Sequence, residues 1–431
     1  MALTKVRGAG VDADGQEVIL DADGDTSITA DTDDQIDIKV GGSDKLKVDA
    51  NSHLVTNTAG TSNFVLGVNA GNSIASGGNY NVALGDEAGT AITTGDRNIA
   101  IGFEAGTAIS TGGENVAIGY QALKTEDGHG LNIAIGSEAL ENLNAGADGN
   151  NVAVGHNAGK NVTTAIECTF VGYLAGDAVT SNPGCTAIGS QALSEQAGDY
   201  CTAVGRKALN GCTSNGDRNT AVGEVALFTV GDGSKNVGVG NAAGYAITSG
   251  GNNICLGVDA GRTGSPGGNI TSGSNEIALG DENISSFSCQ VSLTATSDER
   301  DKTDFKDLDL GLDFVNALKP VTYVWDKRTN YVNKTDPDWR KTLDLDKITS
   351  DGSKKDDDLQ VGFKAQDVIA LEEAAGYKLS DKTNLTATVT KDGKQYGLSY
   401  ERFVPMLVKA IQELSAKNDA LEARIKKLEG G

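Results

Sequence analysis

A serine and a lysine stand five residues apart where the composition of this chain changes, in the stretch Ser297-Asp-Glu-Arg-Asp-Lys302. A serine hydroxyl is a weak nucleophile until a base takes its proton, and a neutral lysine amine is one such base. The last histidine of the chain is His156, which excludes a local Ser-His-Asp triad in the C-terminal part. The spacing fits a Ser/Lys pair if burial or a nearby cation such as Arg300 favours the neutral amine. The same spacing is also common in segments without catalytic function.

The residues before this stretch differ in composition from those after it. The chain contains 57 Gly but only five Pro and two Trp among 431 residues, and both tryptophans, Trp325 and Trp339, follow the stretch. Few large side chains and many glycines favour a solenoid with tight corners over a single large core. The length allows two or three domains.

Charge and sequence pattern exclude several classes of partner. The formal net charge of −23 argues against nucleic acid, because binding phosphates needs a basic face. It also argues against docking on an anionic bilayer. No apolar run has the length of a membrane span or of a signal peptide, including the N-terminal Met1–Val6. We therefore expect no membrane insertion and no nucleic-acid partner.

No pattern of metal-ligand spacing stands out, so we expect neither a metal nor another cofactor. The six cysteines include no Cys-x-x-Cys pair. Cys168, Cys185 and Cys201 occupy one position in successive repeats, which predicts a ladder of small buried residues. In Asp21–Asp25 the glycine is fourth and the twelfth residue is Thr32, which departs from a calcium loop and favours a solvated turn. The three histidines share no spacing and receive no role: they are His53, His129 and His156.

A repeat fills the chain from Asn63 to Gly280. The pattern Asn-x-Ala-(Val/Ile/Leu)-Gly-x-x-Ala-(Gly/Leu) recurs thirteen times, mostly at intervals of 17 residues. A fixed period of this length indicates a repeat architecture. Aliphatic residues two apart, such as Val82 and Leu84, predict a short strand, and the glycine after them predicts a corner. Before the repeat, short strands are predicted at Glu17–Leu20, Thr26–Thr29, Gln35–Val40 and Lys45–Val48.

The repeat resembles the head repeats of trimeric autotransporter adhesins, in which each repeat is one coil of a β-roll and three rolls pack together. Longer return loops mark places where solenoids usually bind partners, and here they are Lys124–Leu131, Asn142–Asn150 and Ser265–Gly273. Carboxylate pairs such as Asp86/Glu87 and Asp281/Glu282 have residue types that hydrolyse glycans, but their position just after a corner glycine favours solvated turns.

The C-terminal part carries three signatures in order. Ser297–Lys302 fits Ser-Asp-x-Arg-x-Lys, Gly362–Val368 fits Gly-Phe-x-Ala-Gln-(Glu/Asp)-Val, and the third is Tyr400–Leu414. The chain here resembles the intramolecular chaperone auto-processing domain, of endosialidase type, at the C-terminus of phage tailspikes and tail fibres. Between the signatures we predict a helix at Leu310–Leu318, a strand at Val321–Trp325, a strand and helix at Val361–Ala374, and an exposed loop at Asp336–Asp358.

The tail predicts a helical zipper. Position a holds Val404, Ile411, Asn418 and Ile425, and position d holds Leu407, Leu414, Leu421 and Leu428. Asn418 at an a position would fix the register at some cost in stability. Ile at a with Leu at d favours a dimer when taken alone, whereas the family resemblance implies a trimer, which we adopt.

The resemblance also implies a reaction. Ser297 attacks the carbonyl of Thr296, Lys302 takes the proton, and the bond between Thr296 and Ser297 breaks, releasing the chaperone. Asp298 and Arg300 would support the pair, while Gln366 either orients the scissile segment and its oxyanion or only holds a turn. Some relatives keep the fold without cutting, so a single-turnover serine endopeptidase activity is expected here but not required by the resemblance.

The sequence thus predicts a mainly β protein: a trimeric β-roll shaft of 17-residue repeats, then a small α/β chaperone domain ending in a coiled-coil helix. We expect a short-strand N-terminal region (1–60), the shaft (61–296), the chaperone (297–403) and the coiled coil (404–431). The expected function is a homotrimeric viral tail fibre, assembled in the host cytoplasm, that joins a tail or baseplate protein to a host surface receptor. Alternatives are a bacterial surface adhesin, or a capsule-degrading tailspike with the same chaperone.

Overall fold

The structure is a computed structural model, and it describes residues 18–30, 36–49, 54–195, 197–290, 295–334, 339, 343–390 and 393–430. Met1–Val6, Thr32 and His53, discussed above, lie outside these residues. The chain divides into two compact units: Met1–Ile254 with Ser272–Asn275, and Cys255–Thr271 with Glu276–Gly431. No helix among the described residues is long and apolar enough to cross a bilayer.

The first unit begins with a five-stranded antiparallel sheet whose strands follow chain order. Asp- and Gly-rich turns separate the strands, which confirms the prediction of short strands in this region. In the first of these turns the Asp21 carboxylate accepts hydrogen bonds from the backbone amides of Gly24 and Thr26, at 3.1 and 3.2 Å. The strands are β1 (Val18–Ile19), β2 (Ser27–Ala30), β3 (Ile36–Val40), β4 (Ser43–Val48) and β5 (Leu54–Thr56).

A solenoid of three-residue strands follows, one per repeat. Neighbouring strands pair in parallel and in register, for example Val82 with Ile99 and Leu84 with Ile101. This confirms the predicted solenoid with a spacing of about 17 residues. The strands are β6 (Phe64–Leu66), β7 (Val82–Leu84), β8 (Ile99–Ile101), β9 (Val116–Ile118), β10 (Ile133–Ile135), β11 (Val152–Val154), β12 (Thr169–Val171), β13 (Thr186–Ile188), β14 (Thr202–Val204), β15 (Thr220–Val222) and β16 (Val237–Val239), and β17 (Ile254–Leu256) and β18 (Ile277–Leu279) continue the order of the sheet.

The solenoid has a narrow interior lined by small side chains. The central alanine of a strand, such as Ala83, is fully buried together with Ala88 and Ile92 of the same coil. The aliphatic residues on either side, such as Val82 and Leu84, are only partly buried. Because successive side chains of a strand point to opposite faces, the alanines face inward and the aliphatic residues face outward.

Buried asparagines link one coil to the next. The Asn81 side chain donates to the carbonyl of Gly95 at 2.8 Å and accepts from the backbone amide of Asn98 at 2.9 Å. Such a side chain satisfies buried backbone groups at a corner that has no regular ladder. Sequence analysis noted the asparagine but assigned it no role. The buried members are Asn63, Asn81, Asn98, Asn115, Asn132, Asn151, Asn219, Asn236 and Asn253.

Cysteines replace asparagine at this position in three coils. Cys168, Cys185 and Cys201 are fully buried and free, which confirms the predicted ladder. The Cys168 backbone amide donates to the Asn151 side chain at 3.0 Å, as an asparagine amide does elsewhere. Contact with the Cys168 thiol, together with burial, raises the pKa of the Cys185 thiol far above its usual range. Because the thiolate is the reactive form, the buried Cys185 thiol is unreactive and serves packing.

The corner glycines stack on one another, and this gives the first testable prediction. Gly102 has φ +127°, and a Cβ at that position would lie 2.6 Å from the carbonyl oxygen of Gly119. We expect Gly102→Ala to lower the free energy of unfolding by about 3 kcal/mol or more, through backbone strain plus a backbone clash. Thermal unfolding followed by circular dichroism measures this loss.

Gly146→Ala is the matched control, because Gly146 also has a positive φ (+68°) but a Cβ at that position would have no neighbouring atom within 4 Å. We expect this control to lose only about 1 kcal/mol, the cost of the left-handed conformation for an L-residue. Equal losses for the two variants would contradict close stacking of the corners.

The second unit packs helices and two antiparallel strand pairs around a small core. Its described helices are α1 (Leu312–Ala317), α2 (Ala365–Ala374) and α3 (Phe403–Glu429). Strand β19 (Val321–Tyr323) pairs with β20 (Gln360–Gly362), and β21 (Ala387–Val389) pairs with β22 (Tyr396–Leu398). The first pair and the helices agree with prediction, whereas the hairpin β21–β22 was not predicted. The core consists of Leu310, Phe314, Val368, Phe403 and Met406.

Candidate active site

Ser297 and Lys302 meet in the structure. The Lys302 Nζ lies 2.5 Å from the Ser297 Oγ and 3.4 Å from the Ser297 carbonyl oxygen. A short 3-10 turn, Glu299–Asp301, joins the two residues and shortens the path between them. Both side chains are exposed in the single chain. The sequence spacing therefore places a hydroxyl and an amine within proton-transfer distance.

Asp298 and Arg300 shape the turn between the two residues. The Asp298 carboxylate caps the turn by accepting from the Arg300 backbone amide at 2.9 Å. It also accepts from the Arg300 guanidinium, with Nε at 3.0 Å and Nη2 at 2.6 Å. The hydrogen bonds from Arg300 lower the pKa of Asp298. The Asp298 carboxylate thus compensates the charge of the Arg300 guanidinium, and the two residues together stabilise the backbone of the turn.

The predicted cleavage bond, Thr296–Ser297, and Gln366 occupy different places. Thr296 and Ser297 lie in an exposed segment without regular secondary structure before the turn. Gln366 is exposed in the first turn of α2 and lines a cavity of about 530 Å³ together with Trp325 and Tyr396. Among the described residues, no hydrogen bond joins Gln366 to Ser297 or Lys302. The structure of the single chain therefore brings Ser297 and Lys302 together but not Gln366.

The second and third signatures contact each other at the edge of the domain core. The Tyr400 hydroxyl accepts a hydrogen bond from the Phe363 backbone amide at 3.1 Å. The ring of Phe363 stacks on Phe403 and on Tyr400, with centroids 5.3 and 6.2 Å apart. Gly362 lies against Tyr400, since a Cβ there would be 2.3 Å from the hydroxyl oxygen. The glycine of the second signature is thus required by the tyrosine of the third.

This contact gives the second prediction. We expect Gly362→Ala to lower the stability of the second unit by about 1–3 kcal/mol, because the new methyl group displaces the Tyr400 hydroxyl. Tyr400→Phe removes that hydroxyl and its hydrogen bond, with an expected loss of about 1 kcal/mol. The double variant should lose less than the sum of the two. Thermal unfolding of the full chain measures all three, and strict additivity would contradict the contact.

Helix α3 uses two faces for two purposes. Phe403, Met406 and Ala410 are buried against the core, whereas the a and d positions of the zipper are exposed in the single chain. The Asn418 side chain donates to Glu422 one turn later at 3.3 Å. Glu413, which sequence analysis missed, accepts from the backbone amide of Leu312 at 2.8 Å and so supports the start of α1. Only the fold reveals that contact, because 101 residues separate the two.

The carboxylate pairs behave differently from one another. Asp86 is exposed, in agreement with a solvated turn, and the Asp281 carboxylate accepts from the amide of Asn283 at 2.9 Å. Glu282 contradicts the prediction: its side chain is only 3% exposed and forms an ion pair with Lys334. The prediction was wrong because a residue distant in sequence covers this corner.

Two groups of side chains place ligand atoms close enough to hold a metal ion, Asp21/Asp23/Asp25 and Glu126/Asp127/His129. The first is an exposed turn. In the second, the buried Glu126 accepts from the backbone amide of His129 at 3.2 Å and from that of Ala145 at 3.1 Å. This glutamate therefore joins two of the longer return loops and is already occupied by backbone donors.

Comparison with known proteins supports the resemblance drawn for the C-terminal part. Searches of curated proteins and of solved structures gave no significant match. The family match covers the Ser/Lys pair and the second signature, while the third signature lies beyond it. Residues 297–377 match the peptidase S74 family, chaperone of endosialidase, and the matched region begins at Ser297.

Proposed function

We propose that this chain is the subunit of a homotrimeric viral tail fibre or spike. Its solenoid forms the shaft that attaches the virion to a host surface receptor. The C-terminal domain aligns three chains, promotes folding of the shaft and is then removed by cleavage between Thr296 and Ser297. Assembly takes place in the host cytoplasm, and the other end of the fibre joins a tail or baseplate protein.

One observation carries this proposal. The Lys302 amine lies 2.5 Å from the Ser297 hydroxyl, and Ser297 is the first residue of the match to the chaperone family. The solenoid ends shortly before this point, with β18 at Ile277–Leu279. A hydroxyl and an amine in contact at the junction of shaft and chaperone support the proposal that the two parts separate there.

The reaction follows from the chemistry of the two side chains. The Lys302 amine accepts the hydroxyl proton as the Ser297 oxygen attacks the carbonyl carbon of Thr296. The carbon–nitrogen bond breaks, the Ser297 amine takes a proton, and an ester joins Thr296 to the serine oxygen. Water then hydrolyses this ester and leaves a carboxylate on Thr296. Asp298 and Arg300 position the turn and do not touch the reacting atoms.

Two apolar surfaces support association of several chains. The outward-facing residues of the solenoid strands form an aliphatic row that is partly exposed, as at Ile133 and Ile135. The zipper residues of α3, such as Ile411 and Leu414, are also exposed. Exposed apolar rows of this extent favour burial against other copies of the chain. A trimer covers both at once, and an Asn418 layer then sets the register of the three helices.

Mass spectrometry of the purified full-length protein tests the function. We expect two fragments after folding, residues 1–296 and residues 297–431, with serine at the new N-terminus. Native mass spectrometry of the shaft fragment should give a trimer. A chain that stays intact during prolonged incubation of folded trimer would restrict the C-terminal domain to a chaperone role.

A further inference from the structure

Glu282 is a buried carboxylate at the last corner of the solenoid. It follows β18, and its side chain is only 3% exposed. Its Oε1 lies 3.0 Å from Nζ of Lys334, and its backbone carbonyl accepts a hydrogen bond from Nζ of Lys327 at 2.9 Å. Removing a carboxylate from water is unfavourable unless a partner compensates it. The burial of Glu282 therefore depends on the segment that supplies these two lysines.

The lysines lie on the other side of the Thr296–Ser297 bond. Lys327 precedes the 3-10 turn Arg328–Tyr331, and Lys334 comes shortly after that turn. The Lys334 ammonium also lies 5.4 Å from the centre of the Trp339 ring, an arrangement that favours a fixed cation. The Lys327 and Lys334 contacts with Glu282 thus span 45 and 52 residues of sequence, and both join the end of the solenoid to the chaperone region.

Other contacts surround this ion pair. Gly268, in the long loop after β17, lies against Thr390, since a Cβ at Gly268 would be 2.9 Å from the Thr390 side chain. Pro266 and Ile284 line the 530 Å³ cavity together with Trp325 of the C-terminal domain. Residues 255–271 and 276–290 accordingly belong to the same compact unit as the C-terminal domain. Peptide cleavage alone leaves all of these contacts in place.

We propose that Glu282, with Lys327 and Lys334, forms the contact that holds the two fragments together after cleavage, so that the chaperone leaves the shaft only when this ion pair breaks. The inference rests on the proposed cleavage. Lys334 is 38% exposed, so dissolved ions reach the pair and weaken it. Separation of the fragments is therefore a salt-dependent step that follows the chemical step.

Size-exclusion chromatography of the cleaved, full-length protein at increasing sodium chloride concentration tests this. We expect the fragment 297–431 to elute with the shaft at low salt and separately at high salt. Glu282→Gln and Lys334→Met should each speed dissociation at low salt about tenfold or more, because each removes the ion pair between the two side chains. Lys334→Arg keeps the charge and should stay close to the wild type.

Glu373→Gln and Lys355→Met are matched controls, since both side chains are exposed and form no hydrogen bond or ion pair among the described residues. These controls should dissociate like the wild type. Equal dissociation of Glu282→Gln and Glu373→Gln, or a separation that does not depend on salt, would overturn the proposal. A denaturing gel of each sample reports cleavage separately, so an uncut chain contradicts the proposed function and not this contact.

A double-mutant cycle in the Ser297→Ala background tests the contact in the uncut chain. Glu282→Gln and Lys334→Met should each lower the unfolding temperature of the C-terminal unit, and the double variant should lower it no further than either single variant. Additive shifts would show that the two residues do not interact, whether or not the chain cuts itself.

Discussion

Ser297→Ala is expected to leave a full-length chain that still folds and forms trimers. The substitution removes the nucleophilic oxygen, and an alanine methyl group cannot attack the Thr296 carbonyl. Ser297 is exposed and its hydroxyl contacts only Lys302 among the described residues, so little packing is lost. Intact mass spectrometry should show no fragment under conditions in which the wild type is cut completely.

Variants of Lys302 test the role of the base independently of the nucleophile. Lys302→Ala should abolish cleavage by removing the base. Lys302→Arg should also fail, because a guanidinium stays protonated and cannot accept the hydroxyl proton. Ser288→Ala, which changes an exposed serine earlier in the same segment, should cut like the wild type. Cleavage of Ser297→Ala at the normal rate would show that Ser297 is not the nucleophile.

Deleting residues 297–431 from the gene is expected to abolish native shaft. The solenoid strands are three residues long and carry small, similar side chains, so their pairing register is weakly specified. Three separate chains would then align in many registers, and their exposed aliphatic rows would associate without order. The expected product is aggregate or monomer, which light scattering of the soluble and insoluble fractions distinguishes from trimer.

The same residues should be dispensable once the shaft has folded. Wild-type trimer from which the chaperone fragment has been separated at high salt should keep its unfolding temperature, because removal of the aligner leaves a kinetically trapped state. Soluble native trimer made directly from the truncated gene would show that the shaft needs no aligner.

Features that depend on short-range spacing could be predicted from the residues alone. A strand of three residues followed by a glycine is a local pattern. When this pattern recurs every 17 residues, the strands can pair only if successive coils stack on one another. The Ser297–Lys302 contact was predictable for the same reason, since five residues with one 3-10 turn bring the two ends together. The helical zipper and its Asn418 position follow from heptad spacing alone.

Tertiary structure decided the features that depend on neighbouring coils or on distant segments. The asparagine at the start of most repeats bonds backbone groups of other coils, so its role exists only after stacking. Gln366 was expected either to orient the scissile segment and its oxyanion or to hold a turn, and the fold places it at a cavity with no hydrogen bond to Ser297 among the described residues.

Glu282 shows most clearly the difference between what local sequence predicts and what the fold produces. Its sequence context matches Glu87 at an earlier corner, where a solvated turn is a sufficient description. Lys327 and Lys334 cover it only because the strand pair β19–β20 and the following turn bring them back to the last coil. Local propensity carries no information about which corner a distant segment will cover, because burial is a property of the whole fold.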